Sequence, residues 1–308
     1  MRQQTLLNHI TGIIAGFDFS VPLHHYLKNH FRQNKQLGSR DRKIISSGCY
    51  DYYRYALLLP NRSVEEQLAL SFSITNEKNL LSDYLSEKYQ IAKNESNSLS
   101  ERLEFIRKQD GITPDVAFSF LDLLSKEIDK EAFAASMFQQ PLVWIRIRKG
   151  FEKSVLDELK LKEIISFQST ENALGFAPAI PLTALESYLK GHFEIQDLSS
   201  QQTLSLLPDN CGQRMWDCCS GSGGKTLLLA DRFQKAAFLL TDLRTSSLQN
   251  AEERLKKAAV RNYKTMQADL SKDLNFNEKF DVIIADVPCS GSGTWSRTPE
   301  NFWNFDKN

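Results

Sequence analysis

The chain has 308 residues, with 41% hydrophobic, 25% charged and no net charge at neutral pH, the profile of a soluble globular protein of two or three domains. No apolar run is long enough to span a membrane, and MRQQTLLNHITGIIAG lacks the continuous apolar core and cleavage site of a secretory signal. Five cysteines (Cys49, Cys211, Cys218, Cys219, Cys289) form neither an even framework nor a C-x-x-C pair. Disulfides and a thiolate metal site are therefore not expected, and a cytoplasmic location is.

Charge is unevenly spread. Residues 1–60 carry eight Lys/Arg (Arg2, Lys28, Arg32, Lys35, Arg40, Arg42, Lys43, Arg54) against Asp18, Asp41 and Asp51, while residues 61–140 hold five more acids than bases. The basic segment either binds a polyanion or is a solvated helix face.

In chain order, residues 1–138 read as successive helices. Apolar positions 6, 7, 10, 13 and 14 follow helical spacing, RKIISSGCYDYYRYALLL continues it, and Ser63 with Glu66 forms a capping box ahead of an apolar run. SLSERLEFIRKQ and PDVAFSFLDLLSKEI complete an all-α first domain, in which the tyrosines of 50-YDYYRY-55 are expected in the core with their polar tips satisfied. From Gln139 the texture changes. LVWIRIR reads as a strand, SVLDELKLK as a helix, EIISFQS and ALGFAPA as extended segments and PLTALESYLKG as a helix, giving a small α+β module over residues 139–200. Its basic strand end, Arg146, Arg148 and Lys149, is expected to touch phosphates. From residue 201 strands and helices alternate: RMWDCC, GKTLLLADRF, AAFLLTD, SSLQNAEERLKKAA, NYKTMQAD and FDVIIADV. This predicts a doubly wound α/β sheet whose ligand binds at the carboxyl ends of the strands.

The turn after the first of these strands, 217-DCCSGSGGKT-226, superficially resembles a phosphate loop. The P-loop template needs a glycine where Cys219 stands, and the dinucleotide fingerprint needs one at Thr226. Asp217 beside the turn disfavours a triphosphate and suits a cationic ligand. Asp242, Asp269 and Asp286 end the next three strands. Four acids in this arrangement suit a ligand with a sulfonium, a ribose and an adenine but no phosphate, although each alone could be a helix cap. The second informative stretch, 286-DVPCSGSGTWSRTPE-300, places the Cys289 thiol in a tight turn next to that pocket; an inert cysteine in a structural turn is the bland alternative.

Residues 217–226 and 286–300 resemble motifs I and IV of the RsmB/Nop2/Sun (Fmu) family of RNA 5-methylcytosine methyltransferases. PLVWIRI and 195-IQDLSSQ-201 are also similar to that family, and GSRDRKIISSGCYDYYRY is similar to the NusB-like N-terminal domain of its RsmB branch. The resemblance implies a NusB-like RNA-binding domain over 1–138, an RNA-binding module over 139–200 and a Rossmann-like methyltransferase domain over 201–308. The reaction it implies is S-adenosyl-L-methionine-dependent methylation of RNA, rRNA ahead of tRNA and 16S rRNA in particular, through a cysteine adduct at cytosine C6.

By the same resemblance Cys219, Ser220, Gly221, Ser222, Gly223, Gly224 and Lys225 wrap the methionine part of the cofactor, Asp242 takes the ribose and Asp269 the adenine. Asp286 lies between cofactor and base, Cys289 assists product release, and Arg297 joins the RNA-contacting residues. A monomer without metal or membrane is expected. Three departures stand out: Cys-Ser-Gly-Ser-Gly-Gly replaces the family's Cys-Ala-Ala-Pro-Gly-Gly, Ser296 replaces an arginine, and the Thr-Cys-Ser that carries the family's attacking cysteine does not occur in the sequence. The methyltransferase domain is therefore expected to be truncated after its fourth strand, with FDVIIADV as a long apolar edge. The alternatives are a non-catalytic RNA-binding homologue, direct attack by Cys289, or a P-loop NTPase.

Overall fold

A computed structural model describes every residue except 1, 92–95, 97, 111–116, 119, 171, 273–277, 304 and 306–308, with the backbone alone for 109, 110, 168, 169 and 204. The chain forms two compact units, Met1–Gln140 with Gly291–Asn308, and Pro141–Ser290. This division differs from the three consecutive domains expected: the middle module and the parallel sheet share one unit, and the segment after Ser290 belongs with the helices.

In the first unit, α1 (Arg2–Gly16) buries Leu6, Leu7, Ile10 and Ile13, one stripe at helical spacing. Helices α2 (Leu23–Gln33), α3 (Ser39–Tyr55), α4 (Val64–Thr75), α5 (Leu80–Lys88) and α6 (Leu99–Asp110) follow, then α7 (Lys130–Met137). Ser63 accepts from the Glu66 N–H, and Glu66 reaches back to the Ser63 N–H at 3.0 Å, so the capping box forms. Tyr52, Tyr53 and Tyr55 are buried, and the Tyr55 hydroxyl donates to the Phe138 carbonyl at 2.9 Å. Of the helix expected over 114–128, residues 114–116 and 119 lie outside the described residues. Leu121–Leu123 form one 3₁₀ turn instead of continuing a helix.

The segment after Ser290 enters this same core. Trp295 and Phe302 are buried beside Phe118, Phe120 and Phe138. The Trp303 indole N–H donates to the Tyr53 carbonyl at 2.6 Å, and its ring stacks on Tyr52 at 5.5 Å. Glu300, 1% exposed, accepts from the Leu23 N–H at 3.2 Å. Arg54 donates to the Ser296 carbonyl at 2.6 Å.

The second unit holds two sheets. β1 (Val143–Ile147), α8 (Glu152–Leu161), β2 (Gln168–Ser169), β3 (Ala173–Phe176), the one-turn α9 (Glu186–Leu189) and β4 (Phe193–Ile195) build an antiparallel sheet of order β2-β3-β1-β4. After α10 (Leu198–Gln202) come β5 (Arg214–Asp217), α11 (Gly224–Arg232), β6 (Ala237–Asp242), α12 (Thr245–Lys257), β7 (Tyr263–Gln267) and β8 (Val282–Ile284). These four strands are parallel, in the order β7-β6-β5-β8. The order reverses between β5 and β8, so the crevice for a ligand lies where β5 and β8 end.

The long edge strand expected from FDVIIADV is shorter than its apolar run. β8 pairs only over Val282–Ile284, because its partner β5 ends at Asp217; the last bond runs from the Cys218 N–H to the Ile284 carbonyl at 3.0 Å. Residues 285–290 therefore leave the sheet as a loop. Among the described residues, no helix is long and apolar enough to cross a membrane.

Candidate active site

The loop from Cys218 to Gly223 is fixed to both flanking strands. The Ser220 N–H donates to the Thr241 carbonyl at 2.9 Å, and Thr241 Oγ1 donates to the Cys218 carbonyl at 2.8 Å while accepting from the Trp216 indole at 3.0 Å. The Gly223 N–H closes the turn onto the Ser220 carbonyl at 2.8 Å, and α11 begins at Gly224. Gly221 (φ 51°) and Gly223 (φ 76°) both lie in the left-handed region. A Cβ on Gly223 would sit 3.1 Å from the Ala251 Cβ, whereas one on Gly221 would enter open space. Gly223 allows α12 to approach closely, and Gly221 leaves the turn open above its backbone.

The acids occupy distinct settings. Asp217, 1% exposed at the end of β5, accepts from Thr226 Oγ1 at 2.7 Å through one oxygen. Among the described residues its other oxygen has no partner, and neither has the buried Ser220 hydroxyl. Burial pushes the Asp217 carboxyl up to about 6, against the Thr226 hydrogen bond and the Lys225 charge, which pull it down. Asp242, the last residue of β6, accepts from the Gly221 N–H at 2.9 Å and from the Arg244 N–H at 2.9 Å. It thus ties the glycine turn to the second strand and keeps carboxylate lone pairs for a further donor.

Asp269 and Asp286 do not end strands. Each lies two residues beyond one, because β7 stops at Gln267 and β8 at Ile284. Asp269 accepts from the Ser271 N–H at 3.1 Å and hydroxyl at 2.7 Å, an Asx turn that holds its carboxyl below the usual range. Asp286 is exposed and pairs with Lys225 Nζ at 2.5 Å, joining the first turn of α11 to the loop after β8. Cys289 follows on the same exposed loop. Cys219 is half-buried, whereas Cys218 is buried and its thiol is pushed up to about 11 by desolvation. Buried directly after β5, Cys218 packs against the interior.

Two of the four residues expected at RNA serve the interior of the second unit instead. Arg146, 5% exposed, pairs with Asp231 and donates to Gln196 at 3.0 Å. Arg148 pairs with the same carboxylate at 2.9 Å and donates to the carbonyls of Gly191 at 3.2 Å and Ala258 at 2.9 Å. Both guanidiniums are engaged by internal acceptors, although Arg146 Nη2 is buried without a partner among the described residues, and they tie the antiparallel sheet to α11 and α12. Lys149 is exposed, and Arg297 is half-buried in the segment that belongs to the helical unit.

Sequence reasoning missed three residues that shape the loop. Thr226 holds Asp217, and Thr241 holds the turn. Arg254 on α12 donates to the Ser222 carbonyl at 2.8 Å and pairs with Glu194 at 2.6 Å. Thr241 and Arg254 act across gaps of 23 and 32 residues, where only the fold reveals the partner, while Thr226 lies 9 residues from Asp217.

The family model for 16S rRNA methyltransferase RsmB/F matches residues 203–307. A ribosomal RNA small subunit methyltransferase B from Klebsiella pneumoniae is 28% identical over 171 residues, covering 54% of this chain and 39% of that protein. Its counterpart from Enterobacter sp. (strain 638) is 26% identical over 216 residues, covering 65% and 50%. The chain thus spans half or less of the length of these relatives. The crystal structure of PH0851 superposes with a TM-score of 0.68 at 16% identity, over 99% of this chain and 79% of that one, which is a likeness of fold. Both motifs and the four parallel strands lie inside the span that this family model matches, so over residues 203–307 the chain is similar to 16S rRNA methyltransferases of the RsmB/F type.

Proposed function

We propose that this chain is part of an S-adenosyl-L-methionine-dependent RNA cytosine-C5 methyltransferase of the cytoplasm, with small-subunit rRNA as its substrate class. The carrying observation is the crevice between β5 and β8. It combines an open glycine turn, a buried Asp217 oxygen and Ser220 hydroxyl without partners among the described residues, and Asp242 bonded to the turn itself. This donor and acceptor set fits a phosphate-free cationic nucleoside: Ser220 through Lys225 around its amino-acid part, Asp242 at the ribose hydroxyls, and Asp269 near the base edge. When bound, the cofactor supplies an electrophilic methyl group.

The chain's own residues do the rest. Lys225 holds Asp286 at the rim, where its carboxylate faces both the cofactor crevice and an incoming base. A cytosine splayed from its stack becomes nucleophilic at C5 when a cysteine thiolate adds to C6, and Cys289 then takes part in resolving that adduct. In the family the adding thiolate belongs to Thr-Cys-Ser, which is absent from these 308 residues.

Two measurements test this reading. Calorimetry of the chain with S-adenosyl-L-methionine should show binding, weakened at least tenfold by Asp242→Ala. The protein carrying the Thr-Cys-Ser segment should then produce 5-methylcytosine in small-subunit rRNA. ATP binding without S-adenosyl-L-methionine binding would overturn the cofactor assignment. A covalent adduct with 5-fluorocytosine RNA that survives Cys289→Ala would exclude Cys289 as the attacking thiol.

A further inference from the structure

The helical unit carries a groove that the reaction site does not use. Residues of α2 and α3 both line it, and on each helix they follow an i, i+4 stripe. Lys28 and Arg32 lie on α2, Lys35 just after it, and Arg42 and Tyr50 on α3, around a groove of about 580 Å³ with Phe31 in its wall. Lys28, Arg32 and Lys35 are exposed. Among the described residues no carboxylate lines the groove. Asp41, next to Arg42 in sequence, is held by Arg2 at 2.6 Å. Arg42 is fixed from two sides: its Nε donates to the Leu37 carbonyl at 2.9 Å, and its guanidinium lies 5.8 Å from the centre of the Phe31 ring. Among the described residues its two terminal amino groups have no hydrogen-bond partner and remain for a ligand. Phe31 and Tyr50 are half-buried, each with part of a ring surface open.

We propose that this groove binds a single-stranded segment of RNA, with phosphates on Lys28, Arg32, Lys35 and Arg42 and an unstacked base against Phe31 or Tyr50. Cations that have no acidic partner among the described residues, set over an aromatic wall, match the way single strands are held, by backbone charge plus stacking. A regular duplex offers phosphates but no exposed base face. An acidic protein segment would use the charges and leave the rings idle. The inference rests on the RNA reading above, but it names a surface on a different unit from the cofactor crevice.

The test is fluorescence anisotropy of the whole chain with a labelled 12-nucleotide single-stranded RNA over a salt series. A Lys28→Ala/Arg32→Ala/Lys35→Ala variant should bind at least tenfold more weakly, and its log–log salt slope should be shallower by about 2, since each phosphate contact on a single strand contributes roughly 0.7. Equal charge removal at Lys108, Lys126 and Lys130 should change neither. Unchanged affinity and slope in the groove variant overturn the proposal, as does displacement of the RNA by polyglutamate at equal charge concentration. S-adenosyl-L-methionine binding is measured on the same samples. Its loss from the wild-type chain counts against the methyltransferase reading alone, while its retention beside an RNA affinity indifferent to the groove variant counts against the groove alone.

Discussion

At Asp217 the sequence pointed to a ligand acid, and the structure shows why that position is costly to the fold. The carboxyl is buried, half-satisfied by Thr226 and raised to about 6. In the unfolded chain it titrates near 4, so the neutral form is favoured on folding. Its contribution to stability is complete below about pH 4 and is lost as the pH rises through about 6. The full loss is about 3 kcal/mol, and about half of it falls between pH 5 and pH 7. Asp217→Asn keeps an acceptor for Thr226 and removes the charge. Urea unfolding of both proteins should therefore show the variant gaining on the wild type by about 1 kcal/mol from pH 5 to pH 7, whatever their difference at either end. A difference that stays flat with pH would mean that the carboxyl is not raised. The same substitution should weaken S-adenosyl-L-methionine binding, a stability gain set against function. The acids of the site were legible one by one, because a carboxylate after an apolar run is visible in the sequence. What each one bonds to was not: Asp269 is held by its own turn, and Arg146 by Asp231, 85 residues away.

At the level of elements, the alternation from RMWD to FDVII reads directly as a parallel sheet, since strands covered on both faces are continuous apolar runs. Strand order and strand ends are less legible. The limit of β8 is set by where β5 stops pairing, a property of the partner strand. The glycine turn separates the two roles that sequence alone merged. Gly223→Ala places a methyl 3.1 Å from the Ala251 Cβ in a left-handed conformation, and should destabilise the unit by roughly 2–3 kcal/mol, with the backbone alone accounting for about 1–2. Gly221→Ala meets no atom within 4 Å, so it should cost only the backbone part, about 1–2 kcal/mol. Its methyl projects into the open space above the turn, however, and there it should reduce S-adenosyl-L-methionine affinity at least tenfold. Thermal denaturation and calorimetry on the two variants check the split. Equal stability losses, or a Gly221→Ala protein with undiminished affinity, would refute it.

At the scale of the molecule, the segment after the Cys289 loop is built into the core of the helical unit, which a reading in consecutive domains did not anticipate. The signal was faint: 295-WSRTPENFW-303 is rich in aromatics, but no pattern assigns them to helices some 250 residues earlier. Phe302 and Trp295 fill the space between Phe118, Phe120 and Phe138, and Glu300 satisfies the N–H of Leu23, the first residue of α2. A helical unit made from residues 1–140 alone would leave that apolar surface wet and that N–H without its carboxylate. Phe302→Ala should lower the stability of the helical unit by about 3–5 kcal/mol, as expected for a large buried aromatic. Glu300→Ala should cost about 1–3 kcal/mol through the unpaired N–H. The 1–140 fragment should unfold at lower urea than the same helices in the intact chain, and a peptide of residues 291–308 added in excess should raise its midpoint, because a ligand that binds only the folded state stabilises it by mass action. Urea titration followed by circular dichroism decides the matter. A fragment as stable as the intact chain's helices and unmoved by the peptide would show that the segment rests on the unit without supporting it.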